Sequence, residues 1–127
     1  MKPGLSTEEI TKVSSDMVIN FLGEGGEVLS TPAMVNLMEH TCRRMLKRYL
    51  SGDEDSLGIR IDVKHLAATP LGMNVKVKAS LGKIDGRKFT FNVEAFDEKE
   101  KIGEAVHERF VVNKDRFFDK VKKKISP

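Results

Sequence analysis

LSTPAMVNLMEHTCRRMLKRYL, residues 29–50, has the most regular hydrophobic pattern of the chain. From Pro32 to Leu50, apolar or small residues recur at spacings of three and four, which is typical of a helix that buries one face. Thr31 is predicted as the N-cap and Pro32 as the first helical residue, where a missing N–H costs nothing. We therefore predict one helix of about five turns, followed by the turn sequence Ser51-Gly52-Asp53.

Downstream of this helix, apolar and polar residues alternate, which is typical of half-buried antiparallel strands. Four strands are predicted, and Asp85-Gly86 gives a hairpin signal between the second and the third. Asn113 is predicted to cap a final amphipathic helix. The strands lie around residues 59–66, 75–82, 89–96 and 102–112.

Upstream of the long helix the pattern is weaker. Residues Met1 to Thr7 are expected to be a loose start, and Glu9 to Asn20 fits either a strand or a short helix. Phe21 to Gly26 is predicted to be a glycine-rich loop. One long helix beside an antiparallel sheet is an α+β fold in which the sheet wraps the helix. We expect residues 1–127 to be a single domain that dimerises to cover its remaining apolar surface.

Composition narrows the classes of function. The 127 residues are 39% hydrophobic and 32% charged, and no apolar run approaches the ~20 residues of a membrane helix. The net charge of +3 comes from four lysines in Lys120–Pro127, because the other 18 basic residues nearly balance the 19 acidic ones. We therefore expect no membrane partner and regard a nucleic-acid partner as unlikely on charge. The single cysteine, Cys42, favours the reducing cytoplasm.

Three residues are candidates for chemistry. Thr31 begins the long helix, where free N–H groups favour an anion or an oxyanion, although the pattern alone favours a simple N-cap. Glu39 flanks the apolar stripe, where partial burial suits a carboxylate to acid, base or nucleophile roles. The alternative for Glu39 is a solvated residue that pairs with Arg43. His65 shares strand parity with Ile59, Ile61 and Val63 and so faces the helix, either as a core histidine or as a site residue.

Other motifs are weak or missing. His40 is turned away from Glu39 on the helix, and His107 and Glu104 fall on opposite faces of a strand, so neither pair predicts a metal site. Cys42 lies on the buried stripe and is expected to be core. Phosphate-binding, dinucleotide-binding and nucleophile-elbow motifs do not occur. We expect neither a metal nor a cofactor.

Four stretches in order resemble a known family. They are Leu29–Cys42, Ser56-Leu57-Gly58, Val63–Pro70 and His107-Glu108-Arg109. They are similar to hotdog-fold thioesterases, and most similar to the fluoroacetyl-CoA thioesterase-like group. This resemblance implies a long helix wrapped by an antiparallel sheet, a homodimer or dimer of dimers, and an acyl-CoA thioester bound near the subunit interface.

The resemblance also assigns roles. Thr31, Glu39 and His65 match the catalytic set of the group, and Gly58 matches a residue whose backbone lines the pocket. Pro32 and Ala33 in the first turn are the expected substrate-binding residues, because backbone N–H groups there would polarise the thioester carbonyl. Whether Glu39 is nucleophile or base, whether Thr31 attacks or positions, and whether His65 orients or protonates are left open.

Two departures affect specificity. Proline at position 32 stands where the fluoroacetyl-CoA enzyme has glycine, and Gly23 to Gly26 replaces bulkier residues. We therefore expect hydrolysis of a small acyl-CoA rather than selectivity for a fluorinated one.

The coenzyme A phosphates are expected to bind Lys76, Lys78, Arg87 or the lysines of the C-terminal tail, Lys120–Pro127. The alternative functions are a non-catalytic hotdog module that binds acyl-CoA or acyl-carrier ligands, and a basic-tailed nucleic-acid binder.

Overall fold

A computed structural model describes residues 1–127. The chain forms five strands and two helices. The strands are β1 (Ser6–Lys12), β2 (Glu54–His65), β3 (Asn74–Asp85), β4 (Lys88–Phe96) and β5 (Lys101–Asn113). The helices are α1 (Thr31–Lys47) and α2 (Lys114–Ile125), and a single 3-10 turn occupies Ser15–Met17. The predicted long helix, four strands and final helix are confirmed, with α1 ending three residues earlier than expected.

The five strands form one antiparallel sheet in the order β1-β3-β4-β5-β2. The loose start predicted for Met1 to Thr7 ends at Leu5, because Ser6 and Thr7 already pair with Ser80 and Ala79 of β3. Of the segment Glu9 to Asn20, for which a strand or a short helix was predicted, only the first four residues belong to β1. The glycine-rich loop at Phe21–Gly26 is confirmed as a succession of turns. Strand β2 forms the other edge of the sheet, and only β5 pairs with it.

The core lies between α1 and the inner face of the sheet. From α1 it takes Met34, Met38, Cys42, Met45 and Leu46, all 3% exposed or less. They pack on alternate residues of β3 and β4, such as Val77 and Phe91. Burying side chains of this size contributes about 2 kcal/mol each. The α+β arrangement of a helix wrapped by a sheet is therefore confirmed.

Gly103 of β5 allows the first turn of α1 to lie against the sheet beside β2. Gly103 of β5 lies opposite His65 in the sheet register. A Cβ at Gly103 would lie 2.6 Å from the sulfur of Met34, so the missing side chain is the space that Met34 fills. The helix therefore approaches the strands closely at this end, which carries Thr31 toward His65.

Two arginines tether the other end of α1. The guanidinium of Arg43 donates two hydrogen bonds to Asp55 of β2, at 3.0 and 2.6 Å. Arg44 donates to both carboxylate oxygens of Glu9 in β1. These forked contacts connect the helix to both edge strands, because each guanidinium offers two parallel donors to one carboxylate.

Strand β2 contains a bulge between Gly58 and Arg60. The prediction that Ile59 shares the inward face with Ile61, Val63 and His65 is therefore wrong for Ile59, which is 53% exposed. A bulge inserts one unpaired residue and reverses the parity of what precedes it. Neither helix is long and apolar enough to cross a membrane.

Candidate active site

The first turn of α1 differs from the prediction in one residue. Ser30, not Thr31, is the N-cap, and its hydroxyl accepts a hydrogen bond from the backbone N–H of Ala33 at 3.1 Å. Thr31 is therefore the first helical residue, and its side chain is released from capping. Its Oγ1 lies 2.8 Å from Nδ1 of His65, 34 residues away in the chain. The structure brings these two candidates together.

His65 is held by its place in β2. Its side chain shares the inward face with the half-buried Ile61 and Val63, as predicted. Its second ring nitrogen, Nε2, is buried and has no hydrogen-bond partner in the chain. A buried polar atom without a partner is costly, so this nitrogen is available to a group from outside the chain.

The first turn of α1 has fewer free backbone N–H groups than expected. Pro32 has no N–H, and the N–H of Ala33 is already bound to Ser30. The helical bond from Met34 to the Ser30 carbonyl uses the next donor. Thr31 therefore has the only N–H of the first turn that is left for an oxyanion, and Pro32 and Ala33 can contribute contact surface but no hydrogen bond.

A cavity of about 490 Å³ opens beside the Thr31–His65 pair. Apart from Ser30 and the pair itself, its lining is apolar: Ile19, Phe21, Val28, Leu29, Leu66, Ala67 and Ala68. These residues come from the segment before α1 and from the segment after β2. The cavity has the size and polarity of a small-molecule site with a few placed polar groups.

Glu39 lies apart from that pair. It is eight positions after Thr31 in the α-helix, which corresponds to a rise of about 12 Å. Its carboxylate is adjacent to Gly58, where an added Cβ would lie only 2.7 Å from Oε2. The same oxygen lies 3.8 Å from Nη1 of Arg109. The structure thus brings Glu39 and Gly58 together, but not with Thr31 and His65 of the same chain.

Arg109 and His107 of β5 lie beside Glu39. Both belong to a stretch that carries the family resemblance, but neither was predicted as a site residue. Both are buried, at 4% and 1% exposure. Burial lowers the pKa of the His107 imidazole and of the Arg109 guanidinium below their ordinary values. Strand alternation could have predicted that both side chains point inward, because they occupy alternate positions between the apolar Ala105 and Val111.

The remaining candidates, His40 and Cys42, form neither a metal site nor a nucleophile. His40 is exposed on α1, and no three His, Cys, Asp or Glu side chains gather in a group that could hold a metal ion. Cys42 is buried, as expected, and burial raises the pKa of its thiol to about 12. It is therefore a core residue at neutral pH and not a nucleophile.

The expected phosphate-binding cations do not form one surface. Lys76 is near the start of β3 and pairs with Glu8, whereas Arg87 is in the turn at the far end of the β3–β4 hairpin. Arg87 instead joins Arg116 and Lys120 of α2 around a groove of about 410 Å³. The apolar floor of this groove includes Leu57, Phe110 and Phe117.

Comparison with known proteins identifies the family. The profile of the family described as fluoroacetyl-CoA-specific thioesterase matches residues 13–115. The fluoroacetyl-CoA thioesterase of Streptantibioticus cattleyicolor is 44% identical over 98 residues, which cover 77% of this chain and 70% of that protein.

Comparison with solved structures supports the same family. The fluoroacetyl-CoA thioesterase FlK superposes with a TM-score of 0.91 at 36% identity, covering 100% of this chain and 98% of that one. Point mutants of FlK were solved with acetyl-CoA and with fluoroacetate and CoA. A hot-dog-like protein from Thermanaerovibrio acidaminovorans has the same fold at 23% identity, with a TM-score of 0.90 over 98% of this chain and 93% of its own. The chain therefore belongs to the fluoroacetyl-CoA-specific thioesterase family and is a thioester hydrolase with the hotdog fold.

Proposed function

We propose that this chain hydrolyses small acyl-CoA thioesters, with Thr31, His65 and Glu39 as the catalytic set. The observation that carries this proposal is the 2.8 Å contact between Thr31 Oγ1 and His65 Nδ1 at the mouth of an apolar cavity. A hydroxyl within hydrogen-bond distance of an imidazole nitrogen is the arrangement of a nucleophile and its general base. The acetyl-CoA and CoA complexes of FlK support the choice of substrate class.

The contact favours Thr31 as nucleophile. His65 takes the hydroxyl proton while Oγ1 attacks the thioester carbonyl, and the N–H of Thr31 stabilises the oxyanion. Collapse of this intermediate breaks the C–S bond, and His65 gives its proton to the departing thiolate of coenzyme A. Water, deprotonated by Glu39, then attacks the acyl-threonine ester and breaks the bond between the acyl carbon and Oγ1. Oγ1 of Thr31 receives the proton that Glu39 accepted, and the carboxylic acid leaves. General acid–base help of this kind contributes about 10²–10⁴-fold in rate.

Glu39 lies about 12 Å along the helix from Thr31, too far to reach the same carbonyl. We infer that each active site joins Thr31 and His65 of one chain to the partner's Glu39 across a homodimer. Two features support an outside contribution: the unpartnered Nε2 of His65 and the free edge of β2, where Ile59 is exposed. An uncovered edge strand is a surface for pairing with a second copy.

The groove beside α2 is our proposed contact for the coenzyme A phosphates. Arg87, Arg116 and Lys120 supply three cations around an apolar floor. The floor suits an adenine or pantetheine chain, and guanidinium groups suit phosphate oxygens. Lys76 pairs with Glu8 at 3.8 Å and Arg87 pairs with Glu54 at 3.4 Å, so each already has one carboxylate partner. Arg87 is favoured because it shares its groove with two further cations.

Thiol release from a panel of acyl-CoA substrates tests the function. We expect turnover of acetyl-, propionyl- and fluoroacetyl-CoA by the purified protein, and loss of most of the rate in Glu39→Gln and His65→Ala. Circular dichroism checks that both variants are folded, and His40→Ala is a matched control on the exposed face of α1. Saturable binding without turnover would instead favour the non-catalytic acyl-CoA module.

A further inference from the structure

Thr69 is a polar residue without exposed surface, four positions after His65. Its Oγ1 donates a hydrogen bond to Oδ2 of Asp97 at 3.0 Å, although the two residues are 28 positions apart in the chain. Buried polar groups are paired because an unpaired one costs folding free energy. The carboxylate of Asp97 therefore fixes the place of the Thr69 side chain.

Asp97 is itself held by the turn between β4 and β5. Its Oδ1 accepts hydrogen bonds from the backbone N–H groups of Lys99 and Glu100, at 2.8 and 2.9 Å, and its own N–H donates to the Glu100 carbonyl at 2.9 Å. Partial burial opposes ionisation of Asp97, but these two backbone hydrogen bonds and the one from Thr69 hold its pKa below the ordinary value. An ionised carboxylate, anchored in a turn, thus accepts the Thr69 hydroxyl at neutral pH.

The backbone of Thr69 is bonded to the segment that leads into α1. Its carbonyl accepts a hydrogen bond from the N–H of Leu29 at 2.8 Å, and Leu29 is a buried residue two positions before Thr31. The end of β2 and the start of α1 are therefore joined twice. One connection is the side-chain contact of Thr31 with His65, and the other is this backbone hydrogen bond.

The chain between His65 and Thr69 has no helix or strand of its own. The N–H groups of Leu66 and Ala67 both donate to the carbonyl of Ile102, at 2.7 and 3.4 Å, and the second distance is longer than that of an ordinary backbone hydrogen bond. Thr69 is thus the point at which this irregular segment is anchored by a side chain and by the main chain together.

We propose that Thr69 is a positioning residue for the Thr31–His65 pair, and that its hydrogen bond to Asp97 fixes the end of β2 relative to the start of α1. The inference rests on the proposed function, because it assigns Thr69 to the step in which Thr31 attacks the thioester. Thr69 is not among the residues that line the cavity, so it acts through the pair and does not touch the acyl group.

Valine at position 69 would have nearly the shape of threonine but would place a methyl group against the carboxylate of Asp97. The two groups would separate, and the carbonyl that holds Leu29 would move with the backbone of residue 69. A displacement of about 1 Å between reacting groups can cost about 10²-fold in rate. The loss of one hydroxyl outside the cavity should therefore lower kcat.

The experiment compares Thr69→Val and Thr69→Ser with the wild type in acetyl-CoA hydrolysis. We expect Thr69→Val to lose about tenfold or more in kcat with little change in KM, because the pair is misaligned while the cavity lining is unchanged. Thr69→Ser keeps the hydroxyl and should restore most of the wild-type kcat.

Thr41→Val is the matched control. The hydroxyl of Thr41 is also buried and also donates to a carboxylate, that of Glu9, at 3.0 Å, but it lies on α1 ten positions beyond Thr31. Thr41→Val should lower Tm as Thr69→Val does and leave kcat near the wild-type value. Wild-type kcat in Thr69→Val, or an equal loss of kcat in Thr41→Val, would overturn the proposal.

A second measurement separates this proposal from the function on which it rests. The chain has three histidines, so the imidazole nitrogen resonances of His65 are those missing from the spectrum of His65→Ala. We expect Thr69→Val to shift them and Thr41→Val to leave them in place, whether or not the protein hydrolyses any thioester. Unmoved resonances in Thr69→Val contradict the positioning role. Shifted resonances in a protein without turnover support the positioning of His65 and contradict the proposed function. Thr69→Ala, which removes the same hydroxyl and leaves room for water, decides the point if Thr69→Val does not fold.

Discussion

Thr31 Oγ1 and His65 Nδ1 lie 2.8 Å apart because Ser30 has taken over the capping of α1. A threonine at the N-cap would point its hydroxyl at the N–H groups of its own helix. One residue further along, the hydroxyl is free to meet the histidine that β2 presents. The N-cap and the candidate nucleophile are therefore adjacent residues with separate tasks.

Thr31→Ser should keep a large part of the wild-type kcat, because it keeps the hydroxyl. Thr31→Ala should lose about 10²-fold or more, because no atom remains to attack the carbonyl or to donate to His65. Steady-state kinetics with acetyl-CoA measures both. Mass spectrometry of the quenched reaction should find the acyl group on the peptide that contains Thr31. An acyl group on the Glu39 peptide would contradict this assignment.

Mixing two inactive variants should restore activity if each site spans two chains. In a dimer of His65→Ala with Glu39→Gln, one site combines both changes and the other has neither. Random exchange makes half of the dimers mixed, so about a quarter of wild-type activity should return. The test requires that subunits exchange, which differently tagged chains can verify by co-purification. Verified mixed dimers without activity would show that Glu39 acts within its own chain.

The size of the cavity should set the acyl group. Ala67 lies in its lining, so Ala67→Leu should fill part of the 490 Å³ beside Thr31 and His65. We expect kcat/KM for butyryl-CoA to fall by about tenfold relative to acetyl-CoA, since a lost or blocked methylene site is worth about 1–3 kcal/mol. Ala68→Ser is the control, because it changes another lining residue of the same cavity and adds little volume.

The α2 groove should bind the nucleotide half of the substrate. Arg87→Gln with Lys120→Gln should raise KM for acetyl-CoA several-fold and weaken its dependence on salt, because surface cations bind phosphates through screened attraction. An acetyl thioester of N-acetylcysteamine lacks the phosphates and should react equally well with both proteins. Lys76→Gln serves as a control. If Lys76→Gln raises KM as much as the double variant does, the result would argue against binding of the phosphates in this groove.

Acid should weaken the attachment of α1 to the edge strands. Hydrogen bonds from Arg44 and Arg43 hold the pKa values of Glu9 and Asp55 below the ordinary 4.5 and 3.8. A carboxylate with a lowered pKa in the folded state stabilises the fold above its unfolded pKa, and this stability is lost as the pH falls through the folded pKa. Thermal unfolding should show a larger drop in Tm from pH 5 to 3 for the wild type than for Glu9→Gln. Parallel curves would contradict the pairing.

Hydrophobic periodicity predicted the parts of the fold that bury apolar faces. It found α1 and the four strands after it, and the parity of Ile61 and Val63 correctly turned His65 inward. It could not decide between strand and helix at β1, since the inward residues there are Thr7, Glu9 and Thr11 while Ile10 is 68% exposed. That strand is recognised by its pairing with β3 and its ion pair with Arg44, and both are distant in the sequence.

The candidate site was predictable to a similar degree. Thr31, Glu39 and His65 were predicted to form one catalytic set, but within one chain the structure brings only Thr31 and His65 together. Glu39 lies beside Arg109 instead, and the catalytic role of all three stays a prediction. Ser30 and Thr31 both suit an N-cap, so local sequence could not choose between them. Arg109 was missed because a buried cation looks like an interruption of an apolar strand face. Only the contacts with Ser56, His107 and Glu39 show why it is there.

The spacing of eight positions between Thr31 and Glu39 in α1 can change only by whole residues. Inserting one residue would turn Glu39 by about 100° and move it 1.5 Å along the axis, away from both Gly58 and Arg109. Changes in the range of acyl groups must therefore arise elsewhere. The segments around Phe21 and Ala67 line the cavity but do not set this spacing. They can lengthen, shorten or change side chains while the catalytic distances are preserved.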